Sequence, residues 1–290
     1  MTTIRLTMAQ ALIRYLAAQT SELDGREVPL FAGVFAIFGH GNVAGIGEAL
    51  YGARERLPTL RAHSEQAMGL AAVAFAKASR RRRIMACTSS IGPGATNMVT
   101  AAAVAHANRL PLLLLPGDVF ASRRPDPVLQ QVEAFGDPTI SVNDCFRPVS
   151  RWWDRITRPE QILESLPQAL RLLTDPAECG PVTLALPQDV QTEAYDYPEA
   201  FFAPRCWRFR QPPPEPAQLA EAAAALSRAR APLIIAGGGV HYAMACQRLA
   251  DFAERHGVPV AETQAGKGCH CLGSSLRRRR DRCHRRERCQ

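Results

Sequence analysis

Three short stretches carry residues whose types and spacing point to chemistry. Glu65 follows Ser64 and begins an Ala-rich, otherwise apolar run, EQAMGLAAVAFAKA. On the first turn of a helix such a carboxylate either complements the helix dipole beside a Ser64 cap or is a half-buried acid aimed at a ligand with a protonatable nitrogen. Upstream lies Gly39-His40-Gly41-Asn42, and downstream Ser90-Ile91-Gly92-Pro93-Gly94, each directly after an apolar run. Glycine lets a backbone come close to a ligand, and it equally serves ordinary turns. No Gly-Lys-Ser/Thr follows either loop and neither is a GxGxxG, so a phosphate cradle is not supported. A third glycine group, Gly237-Gly238-Gly239, lacks the further glycine and the spaced acidic residue of a dinucleotide fingerprint.

The elements that must position these residues alternate between helix and strand patterns. A helix over about Thr7–Gln19 places Ala11, Leu12, Tyr15 and Leu16 on one face, followed by a polar turn, SELDGREVP. Strand patterns follow at Gly33–Phe38, Thr59–Ala62, Ile84–Cys87, Pro111–Leu115 and Val182–Leu186, with helices through Leu50, from Glu65, over Ala95–Asn108 and from Pro159. Ala67, Leu70, Ala71, Ala74 and Phe75 are expected to make the Glu65 helix mostly core. The strands are apolar without alternation, as in a parallel sheet covered on both faces. The fold class expected is α/β, a doubly wound parallel sheet followed by an incomplete second α/β domain. In such sheets ligands bind at the carboxyl ends of the strands, which puts Glu65 and both glycine loops on one edge. Asp118–Arg151 is a long polar loop of the kind that is usually functional or mobile. Trp152 and Trp153 read as core and interface aromatics.

The formal net charge of +8 suggests nucleic acid until it is located: residues 268–290 hold eight arginines against Asp281 and Glu287, which is +6 of it. Nucleic-acid binding is therefore not expected. The same segment holds four of the nine cysteines, Cys269, Cys271, Cys283 and Cys289, but their spacing fits no trusted zinc pattern. The abrupt change at Lys267–Gly268, where Arg and Cys replace Ala, Val and Leu, is also what a shifted reading frame in a GC-rich gene would produce. No apolar run approaches the ~20 residues that span a bilayer, and the N-terminus reads as an amphipathic helix rather than a signal peptide. A cytoplasmic protein with scattered, reduced body cysteines is expected.

The domains expected are 1–194, a Pro- and aromatic-rich linker at 195–215, the start of a second α/β unit at 216–267, and the Arg/Cys-rich tail at 268–290. GVFAIFGHGNVAGIGEAL, HSEQAMGLAAVAFAK and TSSIGPGATN, in this order, resemble the pyrimidine-binding domain of thiamine-diphosphate enzymes of the acetolactate synthase type. PDPVLQQVE, PVSRWWDRITRPEQ and QDVQTEAYDYPEAFF look like one branch, the trihydroxycyclohexane-1,2-dione hydrolases of myo-inositol breakdown.

The resemblance implies that Glu65 holds the N1' atom of the cofactor's aminopyrimidine. That contact favours the imino tautomer, whose exocyclic nitrogen can take the thiazolium C2 proton. It implies that Gly39, His40, Gly41 and Asn42, with Ser90 and Gly92, flank the cofactor, and it makes His40 a candidate for proton transfer at a cyclic dione substrate. Complete relatives are expected to be homo-oligomers, with active sites shared between subunits. The family also binds Mg2+ and the diphosphate through a Gly-Asp-Gly motif in a further domain. No Gly-Asp-Gly occurs here, the Gly-Asp pairs being at Gly117 and Gly136. The expectation is an enzyme lineage whose 290 residues carry half of a site and are inactive alone. The alternatives are a non-catalytic fragment, and an acetolactate synthase-like 2-oxo acid enzyme.

Overall fold

The computed structural model describes residues 2–124, 128–132, 134 and 136–270. The chain divides into two compact units, Met1–Arg210 and Gln211–Gln290. Among the described residues no helix is long and apolar enough to cross a membrane.

The first unit runs β1 (Thr3–Thr7), α1 (Met8–Ala17), β2 (Gln19–Leu23), β3 (Arg26–Pro29), β4 (Phe31–Ala36), α2 (Glu48–Gly52), β5 (Thr59–Arg61), α3 (Glu65–Ala78) and β6 (Ile84–Ser89). It continues with α4 (Pro93–Thr96), α5 (Val99–Asn108), β7 (Leu112–Asp118), β8 (Trp152–Arg155), α6 (Ile162–Leu173), β9 (Pro181–Pro187), β10 (Ala194–Pro198) and β11 (Arg205–Trp207). Six strands form one parallel sheet in the order β5-β4-β6-β7-β9-β8. The chain leaves β4 toward one edge and returns to β6 on its other side, so β4 and β6 flank a topological switch point, where ligands of open α/β sheets bind. Every residue of β6, β7 and β9 is buried, which explains their unalternated apolar runs. The doubly wound parallel architecture read from the sequence is therefore the one observed.

Three local expectations need correction. The polar turn SELDGREVP holds a hairpin, β2 antiparallel to β3, turned at Asp24 (φ 49°) and Gly25 (φ 75°); Asp-Gly at positive φ is the signal for such a tight turn. The face of α3 that meets the core is Met68, Gly69, Ala72, Val73 and Ala76, while Ala67, Leu70, Ala71 and Ala74 are exposed. Gly69 selects that face, because a Cβ on it would lie 2.5 Å from the Cβ of Ala101, so α3 packs closely on α5 through the missing side chain. The helix expected over Ala95–Asn108 is two, α4 and α5.

The stretch from Tyr195 read as a linker is also largely structured. β10 pairs antiparallel with β1, β11 pairs parallel with β2, and residues 208–215 lie outside helix and strand. Its aromatics are the cause. Phe201 stacks on Tyr15 of α1 with ring centroids 4.5 Å apart, and the fully buried Tyr197 donates its hydroxyl to the Pro159 carbonyl at 2.8 Å. Trp153, on edge strand β8, donates its indole N–H to the Asn143 carbonyl, with Arg147 and Arg155 over its ring.

The second unit comprises α7 (Pro216–Arg228), β12 (Ile234–Ala236), α8 (Gly239–Tyr242), α9 (Cys246–His256) and β13 (Val260–Glu262), with β12 and β13 parallel. α7 buries none of its residues, and Leu233 and Ile235 are 59% and 68% exposed, so the apolar surface of this two-stranded unit is largely uncovered. Of the cysteine group in the tail, Cys271, Cys283 and Cys289 lie outside the described residues, and so does the arginine run. Among the described residues no three His, Cys, Asp or Glu side chains gather to hold a metal ion.

Candidate active-site edge

Ser64 is extended (φ −150°, ψ 130°) and its Oγ accepts the Ala67 amide at 3.4 Å, so Ser64 itself caps α3. Glu65, half-buried on the first turn, is free of that duty. Its Oε2 accepts from Asn97 Nδ2 at 2.8 Å, just past α4. Its Oε1 lies 3.2 Å from where a Gly94 Cβ would stand, and among the described residues it has no further donor. The carboxylate is thus held by one oxygen and presents the other beside a glycine backbone.

The loop after β4 is fastened from inside. The Gly39 amide donates to Asn42 Oδ1 at 3.0 Å, and Asn42 Nδ2 donates to the Ile37 carbonyl and to Thr88 Oγ1 at 3.1 and 3.2 Å. Asn42 is 1% exposed. It acts as the internal strut of the turn, and its amide is occupied by protein groups. Thr88 in turn donates to the Leu115 carbonyl at 2.8 Å, linking the loop to β6 and β7. The Gly41 amide points at Ser90 Oγ (3.4 Å), and a Cβ on Gly39 would stand 2.5 Å from the same oxygen. Gly92 adopts φ 65°, ψ −121°, a conformation open to glycine alone, and a Cβ there would run into the Gln130 carbonyl.

The loop Gly39–Asn42 and the turn Ser90–Gly94 are therefore in direct contact, and Gly94 lies between Ser90 and the Glu65 carboxylate. His40 differs from its neighbours: both of its ring nitrogens are buried, and among the described residues neither has a hydrogen-bond partner. A buried imidazole left in that state is costly unless a ligand or water completes it.

Beneath this edge is a charge cluster that the sequence did not disclose. Asp118, fully buried at the end of β7, accepts from Arg155 Nε at 2.8 Å, and Arg155 Nη2 reaches Asp144 Oδ2 at 2.7 Å and Ser141 Oγ at 2.8 Å. Burial works against the Arg155 charge, but the two carboxylates outweigh it and raise its pKa. Burial likewise opposes the charge on Asp144, and the Ser141 amide, Arg155 and Arg147 prevail, holding its carboxyl below the usual range. Arg155 is committed to protein carboxylates. Asn97, Gly117, Asp118, Arg155 and Gln191 were all missed as site-building residues. Asn97 lay inside the quoted TSSIGPGATN, whereas the others act through partners far away in sequence.

A carboxylate oxygen held beside a glycine backbone, and a buried imidazole without a partner among the described residues, fit the aminopyrimidine of thiamine diphosphate. The described residues offer no comparable set for magnesium.

Two family models match the chain: "Thiamine pyrophosphate enzyme, N-terminal TPP binding domain" over residues 31–136 and "Thiamine pyrophosphate enzyme, central domain" over residues 219–271. The chain is 54% identical over 267 residues to a 3D-(3,5/4)-trihydroxycyclohexane-1,2-dione hydrolase of Clostridium tetani, a match covering 92% of this chain and 42% of that protein. Identity is 53% to a protein of the same name from Geobacillus thermodenitrificans, and 53% to the one numbered 1 in Bacillus cereus, with the same coverages. The chain thus spans less than half the length of these relatives. With two domain models in the expected order and the carboxylate, histidine and glycine loops on one sheet edge, the chain belongs to the thiamine pyrophosphate enzyme family.

Proposed function

We propose that these residues supply the pyrimidine-binding half of the active site of a thiamine-diphosphate-dependent hydrolase that opens the ring of a trihydroxycyclohexane-1,2-dione at a carbon–carbon bond. The observation that carries the reading is the Glu65 carboxylate, relieved of capping by Ser64, braced by Asn97 through one oxygen and holding the other beside Gly94. The substrate class comes from the names of the relatives.

When bound, thiamine diphosphate supplies a nucleophilic carbon and a sink for the electron pair released by carbon–carbon cleavage. In this reading Glu65 accepts a hydrogen bond from the protonated ring nitrogen of the aminopyrimidine and fixes its tautomer. The Gly39–Asn42 and Ser90–Gly92 backbones confine the ring. His40, whose nitrogens have no partner among the described residues, holds or moves a proton at the substrate oxygen. Magnesium and the diphosphate belong with a Gly-Asp-Gly segment, which this sequence does not contain, so no ring opening is expected from the 290 residues alone.

The test joins residues 1–267 to the part of the Clostridium tetani relative that follows the matched region, and assays dione ring opening with thiamine diphosphate and magnesium. Activity is expected, with Glu65→Gln reducing turnover about 10²-fold or more. Near-normal turnover in that variant overturns the role of Glu65. A chimera that binds cofactor and turns over a simple 2-oxo acid but not the dione overturns the substrate.

A further inference from the structure

Gln191 sits in the turn after β9, 1% exposed, with both hydrogens and the oxygen of its amide engaged. Nε2 donates to the Gly41 carbonyl and to the Leu186 carbonyl, both at 2.8 Å, and Oε1 accepts the Ile46 amide at 3.2 Å. Two carbonyls at one end and an N–H at the other fix the amide orientation without ambiguity. The surroundings are built to fit it. A Cβ on Gly45 would collide with the Gln191 side chain, and one on Gly117 would lie 2.6 Å from the same Gly41 carbonyl that Gln191 holds. The neighbouring Asp189 receives the Ala121 and Ser122 amides at 2.9 Å each. One turn therefore ties together the loops after β4 and β7, and the residue next to its main anchor point is His40.

We propose that Gln191 is the positioning residue of the Gly39–Asn42 loop, setting where the His40 ring stands at the ligand edge. The proposal deepens the functional reading above and rests on it only for the identity of the ligand. A glutamine reaching across 150 positions of sequence to one carbonyl has no reason to be so completely engaged for packing alone, because an apolar side chain would fill the volume. What it adds is direction, since donors at one end and an acceptor at the other admit a single path for residues 41–46.

The test compares backbone hydrogen exchange in the 290-residue chain with that in Gln191→Met, similar in volume but unable to donate or accept in this way. Exchange at residues 41–47 is expected to rise about tenfold or more, while β6 and β7 stay within about twofold of the parent. The His40 ring ¹³Cε1 resonance, assigned with His40→Asn, should shift as the ring is released. Uniform acceleration across all sheet strands would reduce Gln191 to a packing residue, and unchanged exchange at 41–47 would refute the proposal outright. Should Gln191→Met fail to fold, Gln191→Glu keeps the Ile46 acceptor and regains a donor when protonated. Protection of 41–47 that is recovered selectively at acid pH, after correction for intrinsic exchange, supports positioning, and its absence refutes it. Titrating both proteins with thiamine diphosphate separates the two readings. A loosened loop in a chain whose parent shows no response to the cofactor sinks the ligand assignment and leaves the role of Gln191 standing.

Discussion

Two of the glycine-rich loops that follow strands, Gly39–Asn42 after β4 and Gly237–Gly239 after β12, look alike in sequence and differ in space. In the first, added Cβ atoms meet Ser90 Oγ at 2.5 Å and the Ile91 amide nitrogen at 2.8 Å. In the second, Gly237 has nothing nearer than Thr263 Oγ1 at 3.9 Å, Gly238 would meet only the edge of the Tyr242 ring at 3.2 Å and Ala265 at 3.4 Å, and Gly239 has open space. The first loop is glycine because the Ser90 side chain and Ile91 occupy the volume that a side chain would need. The second is turn chemistry in a unit with few buried residues. A glycine motif is informative in proportion to what crowds it, which spacing along the chain does not report.

The largest expected effect that sharpens this contrast lies in the charge brace below the first loop. Arg155→Met strands the fully buried Asp118 carboxylate and should cost unit 1 about 3–5 kcal/mol in denaturant unfolding; a loss under about 1 kcal/mol would mean that the brace is ornamental. Next comes Gly117→Ala, whose methyl would stand 2.6 Å from the Gly41 carbonyl and should cost about 2–3 kcal/mol. Acid probes the same brace. Because the folded-state pKa of Asp144 is depressed, its contribution is complete above the ordinary carboxyl range and is lost as pH falls through that range and below. Unit 1 should therefore lose stability on acidification, and Asp144→Asn should flatten that slope in a series of unfolding curves. The smallest effect is expected in the other loop, where Gly239→Ala at the start of α8 should be neutral or stabilising by about 0.5 kcal/mol.

What was legible in the sequence was whatever is local or periodic. Runs such as Leu112–Leu115 read as buried strand and are so, Ser64 caps as a serine before Glu65 should, and the order of strands and glycine loops put Glu65 and both loops on the one sheet edge where they are found. Asp24-Gly25 was legible too, and its hairpin was missed because the flanking strands are short and polar. The face of α3 was misread because alanines at Ala67, Ala71 and Ala74 carry almost no amphipathic signal, and the packing partner of Gly69 is Ala101. Gln191, Asp118 and Arg155 were invisible as site builders for the same reason: a polar residue declares itself only when its distant partner is known. The aromatics of Tyr195–Phe202 misled in the opposite sense, their prolines suggesting a linker where stacking on Tyr15 anchors the segment.

The central claim is that the Glu65 edge recognises an aminopyrimidine. Its most direct test is calorimetric titration of the 290-residue chain and its Glu65→Gln variant with 4-amino-2-methylpyrimidine, which needs neither metal nor diphosphate. Saturable binding by the parent, weakened about tenfold or more in the variant as expected for loss of a charge-assisted hydrogen bond, is the predicted result. Equal affinity in the two proteins, or no binding by the parent, would contradict it.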